Sequence, residues 1–148
     1  MSKKNRTKAL ALLLDTEEKN IFNDCENQFS YNGEEYLVLT DEEANEKAKE
    51  EIEQSLWAFN PIFILEHCST WDRMSNWEVD AAKEALEKIQ SSHAEAINEL
   101  VRAMISDLDE FVEDAIMEDG RGYFIATYDG YEDEAKVGDT WYYIYRTN

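Results

Sequence analysis

The chain is short of several residue types, and each shortage narrows what it can be. It has two cysteines, Cys25 and Cys68, far apart and in no C-x-x-C arrangement. They read as free thiols of a reducing compartment rather than as a disulfide framework. One proline and five glycines in 148 residues leave little room for a linker, so a single acidic α+β domain spanning 1–148 is expected. No apolar run approaches the length of a membrane span. The start imitates a secretion signal, with basic residues at Lys3, Lys4, Arg6 and Lys8 and then an apolar run from Ala9 to Leu14. That run stops at Asp15, short of the roughly 7–15 apolar residues a signal needs. A cytoplasmic protein with a flexible basic start at 1–8 is therefore expected.

Cations are the scarcest resource. There are 14 Lys and Arg residues against 34 Asp and Glu, a formal net charge of −20. Direct contact with a nucleic-acid backbone needs a basic patch that this chain does not supply, and anionic membrane surfaces are disfavoured for the same reason. Self-repulsion of this size costs stability. The chain is nevertheless not of disordered composition, because 43% of its residues are hydrophobic and 12% aromatic.

Constellations for chemistry are equally thin. There is no G-x-x-x-x-G-K-[ST] phosphate loop, and Asp119-Gly120-Arg121-Gly122 reads as a turn before a strand. The only histidines are His67 and His93. Glu66-His67-Cys68 invites a metal or a Cys–His pair, but zinc sites want several ligands at defined spacing. No calcium-loop pattern is complete, and nothing selects the two positioned carboxyls of a glycosidase. No catalytic residue, metal ligand or cofactor is assigned.

What is present is a legible alternation of helix and strand signals. Leu10, Leu13, Leu14 and Ile21 repeat at helical spacing, predicting a helix over 8–20. Asn32-Gly33 between Phe29-Ser30-Tyr31 and Glu34 to Leu39 is a hairpin signal. Thr40 and Glu43 form a capping box for a helix running to about Phe59, with Ala44, Ala48, Ile52, Leu56 and Phe59 inward. Asn60-Pro61 opens a new helix whose residues Ile62 to Leu65 look buried. Ser75 and Glu78 cap the next, with Val79, Ala82, Leu86 and Ile89 inward. Ser92 and Glu95 begin what reads as the longest helix, from Ile97 to Ile116, ended by Gly120. Tyr123 to Tyr128 and Trp141 to Tyr145 are rich in strand formers and predict a second hairpin. The fold class is α+β: a small antiparallel sheet of two hairpins packed on a cluster of four to five helices.

The acidic residues fall into three stretches: 34–53, 107–119 and the loop 129–139. Asp107, Glu110, Asp114 and Glu118 recur at three and four residues and line one helical face, joined by Glu113, and nothing on that stretch relieves them. Glu42, Glu46, Glu50 and Glu53 form the corresponding row on the earlier helix. Like charges at this spacing lie about 5–6 Å apart and oppose the helix by a few tenths of a kcal/mol per pair. Such rows approximate the spacing of backbone phosphates and suit the cationic groove of a nucleic-acid-binding protein. The alternative is a plainly solvated face. Trp57, Trp71, Trp77 and Trp141 read as core, although Trp71 and Trp77 flank a polar segment and are candidate anchors.

Two segments carry a resemblance. Glu35 to Ala44 with Ser55 to Asn60, and Asp119-Gly120-Arg121-Gly122-Tyr123-Phe124, Thr127-Tyr128-Asp129-Gly130 and Tyr143 to Asn148, resemble a group of small uncharacterised proteins of tailed bacteriophages. The resemblance spans a third to a half of the chain and carries no catalytic residue. It implies a phage origin, hence the host cell cytoplasm. A small acidic phage protein is then expected to inhibit or redirect a basic nucleic-acid-binding host protein, such as a nuclease or defence effector of the restriction or CRISPR kind. Two alternatives stay open: a non-mimic interaction module, with a homo-oligomer as one form of it, and a carboxylate-metal hydrolase.

Overall fold

The structure is a computed structural model and describes residues 2–148, Ser2 by its backbone alone. In chain order the elements are α1 (Ser2–Leu14), a 3-10 turn (Glu18–Asn20), β1 (Phe22–Cys25), β2 (Gln28–Tyr31), β3 (Glu34–Leu39) and α2 (Asp41–Gln54). A 3-10 turn (Leu56–Ala58), α3 (Pro61–Glu66), a 3-10 turn (Trp71–Arg73) and α4 (Asn76–His93) follow. After a last 3-10 turn (Ala94–Ile97) come α5 (Asn98–Met104), α6 (Leu108–Asp119), α7 (Arg121–Ile125), β4 (Asp133–Val137) and β5 (Thr140–Arg146). The chain divides into two compact units, one built from Met1–Lys49 with Asp119–Asn148 and the other from Glu50–Glu118.

The first unit holds a five-stranded sheet of order β1-β2-β3-β5-β4, antiparallel throughout. The two hairpins therefore share one sheet, joined where Tyr36 to Leu39 pair with Arg146 to Tyr143. Asn32 and Gly33 both adopt positive φ, 52° and 79°, as a two-residue turn of primed type requires. The alternation of β3 and β5 puts Tyr36, Val38, Tyr142 and Ile144 on one face, where they meet Ala9 and Leu10 of α1 together with Ile21 and Phe29. The Val, Leu, Ile and Phe side chains among them each contribute about 1.5–3 kcal/mol by leaving water, which ties the first helix to the sheet.

That helix begins at Ser2, not at residue 8, and ends at Leu14, where Asp15 turns to φ 51°. The basic start is thus helical over residues 2–8 rather than flexible; Met1 lies outside the described residues. Its anchor is Arg6, only 7% exposed. Arg6 Nη1 donates to the Val38 carbonyl at 2.8 Å and to Glu43 Oε1 at 2.6 Å, and Nη2 donates to Glu43 Oε2 at 3.0 Å. Glu43 is also the capping-box residue, accepting from the Thr40 amide at 2.8 Å while Thr40 Oγ1 accepts from the Glu43 amide at 3.3 Å.

The predicted strand at Tyr123 to Tyr128 is not one. Residues Arg121–Ile125 are α7, and the partner of β5 is β4, eight or more residues later, across a turn at Gly138-Asp139. The reason lies in Gly122. A Cβ there would come within 2.6 Å of the Gly130 carbonyl oxygen and 2.8 Å of the Glu132 amide nitrogen. The backbone folds back on itself at this point, with the Ala126 amide donating to the Gly122 carbonyl and the Gly130 amide to the Ala126 carbonyl, both at 2.8 Å. Strand-forming side chains are overridden by this glycine-dependent loop.

The second unit is helical. Its buried side chains include Ile64 and Leu65 of α3, Leu86 of α4, Val101 of α5, and Phe111, Val112 and Ala115 of α6. Phe111 meets Phe59 and Phe63 edge-on at 4.9 Å in both cases. The helix expected to reach Phe59 stops at Gln54. Its end is held by Asn98, whose Nδ2 donates to the Glu53 carbonyl at 2.8 Å and whose Oδ1 accepts from the Trp57 amide at 3.1 Å. Gln90 Nε2 donates to the Trp57 and Phe59 carbonyls at 2.8 and 2.7 Å. Asn60 caps α3 as its sequence implies, accepting from the Ile62 amide at 2.9 Å, and the Ser75–Glu78 box caps α4.

The long helix expected from Ser92 to Ile116 is three pieces. Ala94 has φ 47° and ends α4. Ile105 is extended and pairs with Cys68 in an isolated bridge. Asp107 then restarts the helix, its Oδ1 accepting from the Glu110 amide at 3.2 Å, the geometry of an N-cap. The apolar stripe continues across the break at Ile105, with Ile97, Val101, Phe111 and Val112 all buried, and so hides it.

Candidate functional site

The acidic rows are carried by two helices. On α2, Ala44, Ala48 and Ile52 are wholly buried. At about 100° per residue, Glu42, Glu46, Glu50 and Glu53 fall on the opposite side of the cylinder. Glu42, Glu46 and Glu50 are exposed and Glu53 is half-buried. Lys47 and Lys49 lie to either side of the row. Asp41, Glu42 and Glu43 occupy the first turn, where the unsatisfied amides of the helix end favour negative charge. That compensation fades beyond the first turn, so Glu46 and Glu50 meet water without it.

The row on α6 is less uniform. Glu110, Glu113 and Glu118 are exposed. Asp107 caps the helix, and Asp114 Oδ2 stands 2.8 Å from His67 Nε2. The relief of this stretch comes at two positions and not from a cation of its own: the break before α6 turns Asp107 into a cap, and His67, outside the stretch, stands against Asp114. The helix itself has no lysine or arginine. In the second unit Lys83, Lys88 and Arg102 turn to Glu87, Glu84 and Glu99 on their own helices, at 3.9, 3.7 and 3.7 Å.

Two acids of the third stretch, Glu132 and Asp129, are engaged in structure. Arg121 Nε donates to Glu132 Oε1 at 2.8 Å, and Nη1 donates to Asp41 Oδ1 at 2.8 Å and Asn45 Oδ1 at 3.1 Å. The guanidinium lies 4.6 Å from the Tyr143 ring centre. Burial opposes its charge, but the Glu132 and Asp41 carboxylates more than offset this and hold its pKa above the ordinary arginine value. Glu132 also accepts from the Tyr145 hydroxyl. Asp129 Oδ1 accepts from the Tyr131 amide at 3.0 Å. Arg6 and Arg121 escaped the sequence reading; the signal for Arg121 was its place between two glycines, and Arg6 had none beyond helical spacing to Leu10 and Leu13.

The residues weighed for chemistry are also engaged. His67 Nδ1 faces the Phe63 carbonyl oxygen at 2.9 Å and Nε2 faces Asp114, so both ring nitrogens have partners. Burial pushes the Cys68 thiol pKa up, and its Sγ donates to the Ile64 carbonyl at 3.4 Å, which is the environment of an inert thiol. Both cysteines are free. Among the described residues no group of three or more His, Cys, Asp or Glu side chains is placed to hold a metal ion, and no helix is long and apolar enough to cross a membrane.

The tryptophans do not all enter the core. Trp77 on α4 is 73% exposed and Trp141 on β5 is 45% exposed, while Trp57 and Trp71 are half-buried. Met117, on the outer side of α6 beside Glu113, is 84% exposed. No protein-family model, curated protein or solved structure matches the chain, so no residue here takes its role from a relative.

Proposed function

We propose that the chain is a phage-type inhibitor or accessory protein that occupies the cationic groove of a nucleic-acid-binding host protein, of the anti-restriction or anti-CRISPR kind. The observation that carries this reading is the α2 row. Glu42, Glu46, Glu50 and Glu53 place four carboxylates along about 16 Å of one helix face, roughly one per 5 Å. A DNA strand presents one phosphate per ~3.4 Å of axis, so the row has the same order of charge density. The exposed Glu110, Glu113 and Glu118 of α6 supply a second set. Electrostatic steering by such rows accelerates encounter with a basic surface and is screened by salt. The phage origin in this reading comes from the resemblance read in the sequence of the two segments.

The test is charge reversal on α2. Glu42→Lys, Glu46→Lys and Glu50→Lys together should abolish capture of a basic partner from bacterial lysate while leaving the circular-dichroism spectrum near that of the parent and lowering stability by no more than the loss of Glu42 at the helix start, about 0.3–1 kcal/mol. Capture undiminished by the triple change would retire the reading. Asp107 and Asp114 are unsuitable for this purpose, because their replacement also removes a helix cap and a histidine partner.

A second reading is favoured by Trp77 and Met117, large apolar side chains left in water. Here the chain is a non-mimic interaction module that binds a protein through these anchors. It predicts a complex indifferent to salt and lost in Trp77→Ala, with the α2 reversal silent.

A further inference from the structure

His67 sits at the end of α3 with an acceptor at each ring nitrogen: the Phe63 carbonyl at 2.9 Å from Nδ1 and the Asp114 carboxylate at 2.8 Å from Nε2. A neutral imidazole has one N–H and one lone pair, and only the imidazolium has two N–H donors. The arrangement as it stands is therefore satisfied in full by the charged ring. The side chain is 10% exposed, so water is not at hand to replace a lost partner. The ring also packs on Phe63 at 4.8 Å and meets Phe111 edge-on at 5.0 Å.

We propose that His67 is a proton-operated clasp: charged, it ties the end of α3 to α6, and on losing its proton it gives up one of the two ties and leaves the Asp114 carboxylate without a cationic partner. The charged and titratable groups that act on the ring are Asp114 and Glu110, both from α6. From α3 the polar group that faces the ring is the Phe63 carbonyl. The neighbouring Cys68 thiol is held protonated by burial. Burial works against the imidazolium, but the hydrogen bonds to Phe63 and Asp114 and the fields of Asp114 and Glu110 outweigh it, and His67 titrates above its ordinary value.

The clasp closes a specific joint. The His67 carbonyl accepts from both the Ser106 amide and the Ser106 hydroxyl, each at 2.9 Å, so the same residue holds the break between α5 and α6 by its backbone and α6 by its ring. With the folded pKa raised, the stabilisation is complete below the unfolded value near 6.5 and is lost as pH rises through the folded value. Loss of the proton leaves Asp114, in the middle of α6, beside Glu110 and Glu118 without its cation, which makes the α6 face more acidic.

The test uses the full chain with His93→Gln, so that His67 is the only imidazole, titrated by NMR from about pH 5 to pH 9. We expect a midpoint above ~6.5, ring nitrogen shifts of a doubly protonated imidazole below it, and a urea midpoint that falls across the same interval. Adding Asp114→Asn should lower the titration midpoint and flatten the fall in urea midpoint. Glu110→Gln should lower the titration midpoint by a smaller amount. A His67 midpoint at or below ~6.5 in the parent, or one unmoved by Asp114→Asn, would overturn the proposal. Should Asp114→Asn not fold, the parent titration and Glu110→Gln decide it.

Discussion

Gly122, Glu43 and Arg121 show how single side chains set this structure. Gly122→Ala places a Cβ against backbone atoms of Gly130, Tyr131 and Glu132 at 2.6–2.8 Å, which no side-chain rotation relieves. We expect a loss of about 1–3 kcal/mol, read as a lower urea midpoint. Gly33→Ala, with open space but φ 79°, should cost about 1 kcal/mol from conformation alone. Glu43 gives a pH signature. Burial raises its pKa, but Arg6 and the Thr40 amide more than offset this, and the net shift is downward. Its stabilisation is therefore present above the unfolded value near 4.3 and is lost as pH falls through the lower folded value. In Glu43→Gln the acid limb of a urea-midpoint profile should flatten. Arg121→Lys should destabilise despite keeping the charge, since an ammonium cannot donate to Glu132, Asp41 and Asn45 together from one plane.

Elements differ in how openly the chain declares them, and the difference has a physical origin. Local signals were legible: the Asn32-Gly33 turn, the Thr40–Glu43 and Ser75–Glu78 boxes and the Asn60-Pro61 cap each depend on a few adjacent atoms. Thr40→Ala should cost about 1 kcal/mol, measured by thermal or urea unfolding. The break at Ile105 was not legible, because it is made by Cys68 and His67 some forty residues earlier, while the stripe from Ile97 to Ile116 stays continuous. Ser106-Asp107 was the available signal, a capping pair inside an apolar period. The Tyr123 to Tyr128 segment misled for the opposite reason: its strand propensity is real, but Gly120 and Gly122 commit it to α7 and a backbone crossing. The acidic rows were legible as spacing. That Asp107 is a cap and Asp114 a histidine partner was not, since both depend on where α3 meets α6.

At the scale of the whole molecule, charge is the organising quantity. The second unit holds only Arg73, Lys83, Lys88 and Arg102 of the 14 basic residues, so added salt should raise stability by screening repulsion among its carboxylates. Buried polar groups are not the weakness: among the described residues every buried side-chain nitrogen and oxygen has a hydrogen-bond partner. The unresolved tension is electrostatic and lies on the surface, where, under the proposed function, a cationic partner would relieve it. The most direct measurement is capture from bacterial lysate by the immobilised parent chain and by the Glu42→Lys, Glu46→Lys, Glu50→Lys variant, at about 0.05 M and about 0.5 M salt, with added duplex DNA as competitor. The α2 row predicts a basic protein held by the parent at low salt, released by high salt or by DNA, and absent from the variant. Equal retention by both chains, unmoved by salt and DNA, would contradict it.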